Sequence, residues 1–351
     1  MTSSEIALFI SRSHGIVALV SGDNYRWART ALQLAGFEKD NDGNYVMPLL
    51  DTGRARQALA ALGETSPACQ STVTTTDQRY IGDFAHDVSE HLPGQWTVRV
   101  ENYSLPVWQG DLVGCLWATG PVLSDLQHLP VTAAAILQSE TGAELAIAYN
   151  PRLSVYHVGM LVPNDVYLDE RVTPPPGITV QPVAVPAARR ISSSLLTDYH
   201  RAFYEMQLNH LGDDLAWAQE EFEPGMVQDP PRQDLAVAFA RFSAIAPTIL
   251  AALRTNDSHA FSAGEKAFLG HMEASFGQPG PGRGDAEAPR ANPSLDLLGM
   301  WRTEGEDLVE LARAASRSAP AQTTIDLVRA VAAPRALPAP PRRVGAALTR
   351  R

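Results

Sequence analysis

The sequence predicts an α+β protein: an N-terminal mixed α/β domain ending in an antiparallel meander, then a helical bundle, then a partly disordered C-terminal region. Three observations carry this expectation. From Val131 to Val162, apolar runs of strand length, rich in Val, Ile and Tyr, are punctuated by Thr141-Gly142 and Asn150-Pro151, the pattern of a β-meander. Apolar residues at helical spacing recur from Leu195 to Phe276. The prolines gather in the second half of the chain, 16 of the 26 falling after residue 175. The boundaries this gives are a mixed α+β domain over 1–163, a Pro-rich linker over 164–191 and a helical bundle over 192–276. Beyond these follow a disordered linker over 277–291, a tethered helix over 292–317 and a basic Pro/Ala-rich tail over 318–351 with one short helix.

Taken in order, Ile6–Ile10 and Ile16–Val20 flank Ser13-His14-Gly15 and read as a hairpin. Tyr25–Ala35 reads as a helix with Trp27, Ala28, Ala31, Leu32 and Leu34/Ala35 as its apolar positions, ended by Gly36 at the favoured C′ position. Asp42-Gly43 turns into a strand, Tyr45–Met47. Asp51 is placed to cap a helix over Thr52–Leu62, with Arg54 and Arg56 outward. Val73–Thr76 is a weak strand. Gln78–His91 follows as a helix with Ile81, Phe84 and Val88 on one face. Trp96–Val100 and the almost wholly apolar Leu112–Ala118 are expected as strands before the meander.

Pro174-Pro175-Pro176-Gly177 fits neither a helix nor a central strand, whereas Ile178–Val185 alternates and is a candidate edge strand. Ser192–Ser194 offer N-caps for a helix to Leu211, and Asp213 is expected to begin another to Phe222. Leu235–Leu253 is nearly continuous apolar sequence of membrane-spanning length. Arg241 near its middle and Pro247 favour a buried helix of a bundle, so no membrane association is expected. Ser262-Ala263-Gly264-Glu265 is a capping box before Phe268, Leu269, Met272 and Phe276. Gly277–Ala291 is low-complexity sequence that cannot bury enough surface to fold. Leu295, Leu298, Trp301, Leu308 and Leu311 mark one further helix, with Trp301 expected to dock on the bundle. Thr324–Ala332 is the short helix of the tail.

The net charge of −11 hides an asymmetry. Arg317–Arg351 holds seven arginines against Asp326, a net of +6, so with −11 overall the first 316 residues carry −17. An acidic body disfavours nucleic acid and anionic membranes, and leaves phosphate contact to the arginine tail alone. Cys69 and Cys115 make no disulfide framework and no metal spacing. With no basic leader before the first apolar run, a cytoplasmic location is the expectation.

Chemistry is sparse. There is no P-loop, no GxSxG elbow, no HExxH and no EF-hand loop, and the glycine cluster at Gly277–Gly284 is interrupted by prolines. No cofactor or metal is therefore expected. Asp83, His86, Asp87 and Glu90 fall on one helix face and form the most metal-like set, although a half-buried helix needs such a solvated face anyway. His210 lies near an apolar stripe, where a hydrogen-bonded core histidine is the usual outcome. Glu220, Glu221 and Glu223 read as surface. His157, on the last meander strand with Tyr149 and Tyr156 near it, is the most interesting single position and is expected to be partly exposed. The catalytic candidates are thus His157, His86 and Asp83.

Two functional expectations follow, with nucleic-acid contact through the Arg-rich C-terminal tail as a weaker third. One is a non-catalytic intracellular accessory or interaction protein that meets a protein partner, or another copy of itself, through residues 292–351. The other is an enzyme with a pocket between the sheet domain and the bundle.

Overall fold

The computed structural model describes residues 4–163, 167–221, 233–256, 259–277 and 295–318. They fall into two compact units, one within Met1–Val166 and Thr173–Tyr199, the other within Tyr167–Val172 and His200–Arg351.

The first unit opens on a hairpin of β1 (Ser4–Ser11) and β2 (Gly15–Ser21), with Ile6 opposite Val20 and Ile10 opposite Ile16. Gly15 sits at φ +80°, and an added Cβ would run into the carbonyl oxygen of Met47, so the turn demands glycine. After it come α1 (Tyr25–Leu34), β3 (Glu38–Lys39), β4 (Tyr45–Met47), α2 (Thr52–Thr65) and β5 (Ser71–Thr75). Asp51 caps α2 by accepting the Arg54 N–H at 3.0 Å. The first sheet has the order β3-β4-β2-β1-β5, antiparallel except where β1 and β5 run parallel. Ile6, Leu8, Ile16, Ala18 and Val20 share its core with Ala28, Ala31, Leu32, Ala55, Ala58 and Leu62 of the two helices. The buried stripe of α1 is therefore Ala28, Ala31, Leu32 and Ala35. Trp27 and Leu34, expected in the core, point outward.

The chain then forms α3 (Ile81–Ser89), β6 (Trp96–Asn102), α4 (Pro106–Cys115), α5 (Pro121–His128), β7 (Ala133–Ser139), β8 (Glu144–Asn150) and β9 (Val155–Met160). The expected strand Leu112–Ala118 is a correction: most of it is the end of α4. Pro106 starts that helix at its first turn, and only Leu116–Ala118 run extended, the Trp117 N–H donating to Met160 O at 2.8 Å. A short apolar run has no period that separates a strand from a buried helix. The helix α5, opened by Pro121, was not expected at all.

The segment expected as a linker contributes β10 (Ile178–Val180) and α6 (Ala184–Arg190) to this unit. The second sheet has the order β10-β9-β8-β7-β6, antiparallel throughout, so the meander forms its middle rather than its closing edge. On one face Ala134, Ile136, Ala146 and Ala148 pack with Leu112 of α4, Val122 and Leu126 of α5, and Leu116 between the two helices. On the other, Phe84 of α3 stacks on Tyr156.

After α6 one π turn, Ile191–Leu195, leads directly into α7 (Leu196–Glu221). Ser192–Ser194 therefore cap nothing, and Asp213 lies inside α7 rather than opening a new helix. The backbone carbonyls of Ser192 and Ser193 accept from the Thr197 hydroxyl, and the helix runs through Gly212.

In the second unit, α7 from His200 onward packs with α8 (Gln233–Thr255), α9 (Ala263–Phe276) and α10 (Leu295–Ser318). Their core joins Leu208, Leu211 and Leu215 to Phe239, Phe242, Ile249, Met272, Phe276, Leu298 and Leu308. The Ser262–Glu265 capping box opens α9 as expected, the Glu265 N–H donating to Ser262 Oγ at 3.2 Å. The helix expected as tethered is a member of this core: Trp301 is 0% exposed, edge-on to Phe239 with centroids 5.6 Å apart. Asp234–Thr255 is, by length and composition, apolar enough to cross a membrane. Half of its most apolar window is buried inside the unit, and Arg241 pairs with Asp214 at 2.6 Å. Residues 278–294 and 319–351, which hold most of the expected disordered linker and the basic tail, lie outside the described residues.

Candidate functional site

The site begins with strand register. In β9, His157 stands opposite Ala148 of β8 and Thr179 of β10, on the face that α5 covers. Its neighbour Tyr156 points the other way, because successive strand residues alternate faces. Burial of the imidazole is nearly complete, at 2% exposed, which corrects the expectation of a partly exposed side chain.

Three groups surround the ring. Nδ1 lies 3.2 Å from Thr179 Oγ1. Nε2 lies 2.9 Å from Asn150 Nδ2 and 3.1 Å from Asp125 Oδ2 of α5. Asn150 is itself buried, and its amide orientation follows from its other contacts. Oδ1 accepts the N–H groups of Arg152 (3.0 Å) and Leu153 (3.3 Å) in the turn after β8, which leaves Nδ2 to face the imidazole as a donor.

Nε2 thus faces both a donor, the Asn150 amide, and an acceptor, the Asp125 carboxylate. A neutral ring protonated on Nδ1 leaves its Nε2 lone pair to Asn150 and donates to Thr179 Oγ1, whereas one protonated on Nε2 donates to Asp125 and leaves Nδ1 to accept from the Thr179 hydroxyl. Burial lowers the pKa of His157, while the charge and hydrogen bond of Asp125 oppose that shift. Thr179, His157 and Asp125 thus line up as hydroxyl, imidazole and carboxylate. Only the tautomer protonated on Nε2 would leave Nδ1 as a base toward the hydroxyl.

The other two candidates lie elsewhere. Asp83 is buried on α3, where its carboxylate accepts from Ser11 Oγ at 2.8 Å and from the Arg12 N–H at 2.9 Å, pinning the β1–β2 turn. His86 is exposed on the same helix. Because α3 covers the Tyr156 face of the second sheet, neither meets His157. The expected polar face of α3 also separates. Asp87 sits between the guanidinium groups of Arg12 and Arg79, while His86 and Glu90 are exposed. Burial pulls the Asp87 carboxyl upward, but the hydrogen bonds from the two arginines outweigh it and hold the pKa low. Among the described residues, no group of three or more His, Cys, Asp or Glu side chains is placed to share a metal ion. Neither Cys69 nor Cys115 is in a disulfide.

A surface concavity of about 360 Å³ lies on the first sheet, lined by Ser4, Glu5, Ser21, Gly22, Thr72 and Thr74. Its one ionisable side chain, Glu5, accepts from Thr74 Oγ1 at 2.8 Å. In the second unit, Arg171 bridges Asp169 (2.8 Å) and Asp213 (2.6 Å), and Asn209 Nδ2 donates to Asp169 at 2.7 Å. Arg313 of α10 donates to Asn209 Oδ1 at 3.1 Å, which ties the segment Tyr167–Val172 to α7 and α10. His210, expected to be a hydrogen-bonded core histidine, is half-buried with Nε2 lacking a hydrogen-bond partner among the described residues.

Sequence reasoning missed Asp125, Asn150 and Thr179. Asn150-Pro151 was legible only as a turn and Ile178–Val185 only as an alternating stretch. Both are true, and neither shows that a histidine stands across the register. No family model, curated protein or solved structure matches this chain.

Proposed function

We propose that the protein is a non-catalytic interaction protein that meets its partner through the outward face of α1. The observation that carries this reading is the exposure of Trp27 (63%) and Leu34 (69%), seven residues and two helical turns apart on one stripe. Tryptophan is among the residues most enriched at the centres of interfaces. With Trp27 63% exposed, roughly 100–150 Å² of indole remains to be buried, worth up to about 4 kcal/mol at ~25 cal/mol per Å². The charged residues of α1 are Arg26 and Arg29, with no acid among them, so the partner surface would be apolar and flanked by carboxylates.

This moves the partner surface away from the region first expected. The α10 helix spends Trp301 on its own core, and residues 319–351 lie outside the described residues.

Crosslinking with mass spectrometry on the full chain, compared with a Trp27→Ala/Leu34→Ser variant of unchanged circular dichroism, tests the proposal. Crosslinks from α1 to a partner, lost at least tenfold in the variant and weakened by salt, are expected. An undiminished partner set, or crosslinks that avoid α1, would overturn it.

A further inference from the structure

His157 is held by two demands that its Nε2 cannot meet together. Asn150 Nδ2, at 2.9 Å, needs a lone pair there; Asp125 Oδ2, at 3.1 Å, needs a proton. With a neutral ring protonated on Nδ1 the carboxylate faces a lone pair, and with a cationic ring the amide hydrogens face an N–H. On the other side of the ring, Thr179 Oγ1 accepts from Nδ1–H in both states by turning its hydroxyl.

We infer that His157 is a proton-operated selector between two elements of the first unit, holding the β8–β9 turn through Asn150 when neutral and α5 through Asp125 when protonated. The turn is suited to release. Pro151, Arg152, Leu153 and Ser154 are all exposed, Leu153 at 63%, and Ser154 sits at φ +54°, a strained setting for a residue with a Cβ. Asp125 is suited to capture, since at 41% side-chain exposure its carboxylate reaches water as well as Nε2.

The surroundings leave the choice to these groups. From α5 only Asp125 faces the ring, His128 at its end being exposed. Neutral Asn150 and Thr179 face it from β8 and β10. Arg152 in the turn is exposed, and the π turn Ile191–Leu195 packed near β9 carries no ionisable side chain. Burial favours the neutral ring, so this site contributes stability above the ordinary histidine range and loses it as pH falls through that range toward the lowered pKa.

Long-range proton–nitrogen correlation spectra of the full chain, labelled at histidine and recorded from pH 8 to pH 5, read the selector directly. At pH 8, Nε2 should be unprotonated and Nδ1 protonated. On acidification Nε2 gains its proton, amide exchange slows in α5, and it accelerates at Arg152 and Leu153. Asp125→Asn should move the midpoint to lower pH and abolish the α5 response. Asn150→Ala should move the midpoint upward. Asp125 is a surface residue, so its variant remains informative even where Asn150→Ala does not fold. A proton on Nε2 at pH 8, protonation without any change in exchange, or a midpoint indifferent to Asp125→Asn would each overturn the inference.

Discussion

Phe84 and Tyr156 stack face to face, their ring centroids 3.9 Å apart and their planes within 7° of parallel. This contact joins α3 to the middle of the second sheet, and both rings are at most 1% exposed. Parallel stacking buries the largest ring area each residue has, so the pair carries much of the α3 packing.

Removing the Phe84 ring should therefore cost the first unit about 3–5 kcal/mol, and Phe84→Leu distinctly less. Amide exchange in β8 and β9, read together with urea unfolding, measures the loss. Equal stability of the alanine and leucine variants would show that the ring contact contributes little.

The Asp169 network should give the second unit an acid-sensitive edge. Hydrogen bonds from Arg171, with further help from Asn209, hold the Asp169 carboxyl well below the usual carboxylate range despite some burial. A depressed folded pKa contributes stability that is complete above the unfolded value near ~4 and is lost as pH falls from there through the folded value. Asp169→Asn should thus be less stable at pH 7, with the gap from wild type narrowing below about pH 4. A gap that stays constant from pH 7 to pH 2.5 would contradict this.

Trp301 tests whether α10 belongs to the bundle. Trp301→Ala should cost about 3–5 kcal/mol and melt α10 with α8. Because the indole Nε1 has no hydrogen-bond partner among the described residues, Trp301→Phe also removes a buried unpaired donor and should cost much less. Exchange rates that rise in α10 but not in α8 would mean that the helix is not coupled to the core.

Much of the fold was legible before any coordinates. The β1–β2 hairpin, the Asp51 and Ser262 caps, the turn glycines and the three meander strands all carry their reasons within a few residues of themselves. Where the reading slipped, the local signal was degenerate. A helix of three to four apolar residues per two turns fits α1 in either of two rotations, one burying Trp27 and the other Ala28 and Ala35; packing against the first sheet chose the second.

By itself, the sequence determined many of the elements, the Asp51 and Ser262 caps, several turns, and the separation of a sheet-rich half from a helical half. These rest on periodicity, capping and backbone freedom, which act over one or two turns of chain. Tertiary structure alone decided that Trp27 would be bare, and that Asp125, Asn150 and Thr179 would converge on His157. Those outcomes depend on strand register and helix docking between residues 7 to 32 positions from the histidine. At that range no local preference acts, and only the packing of whole faces selects which polar groups meet.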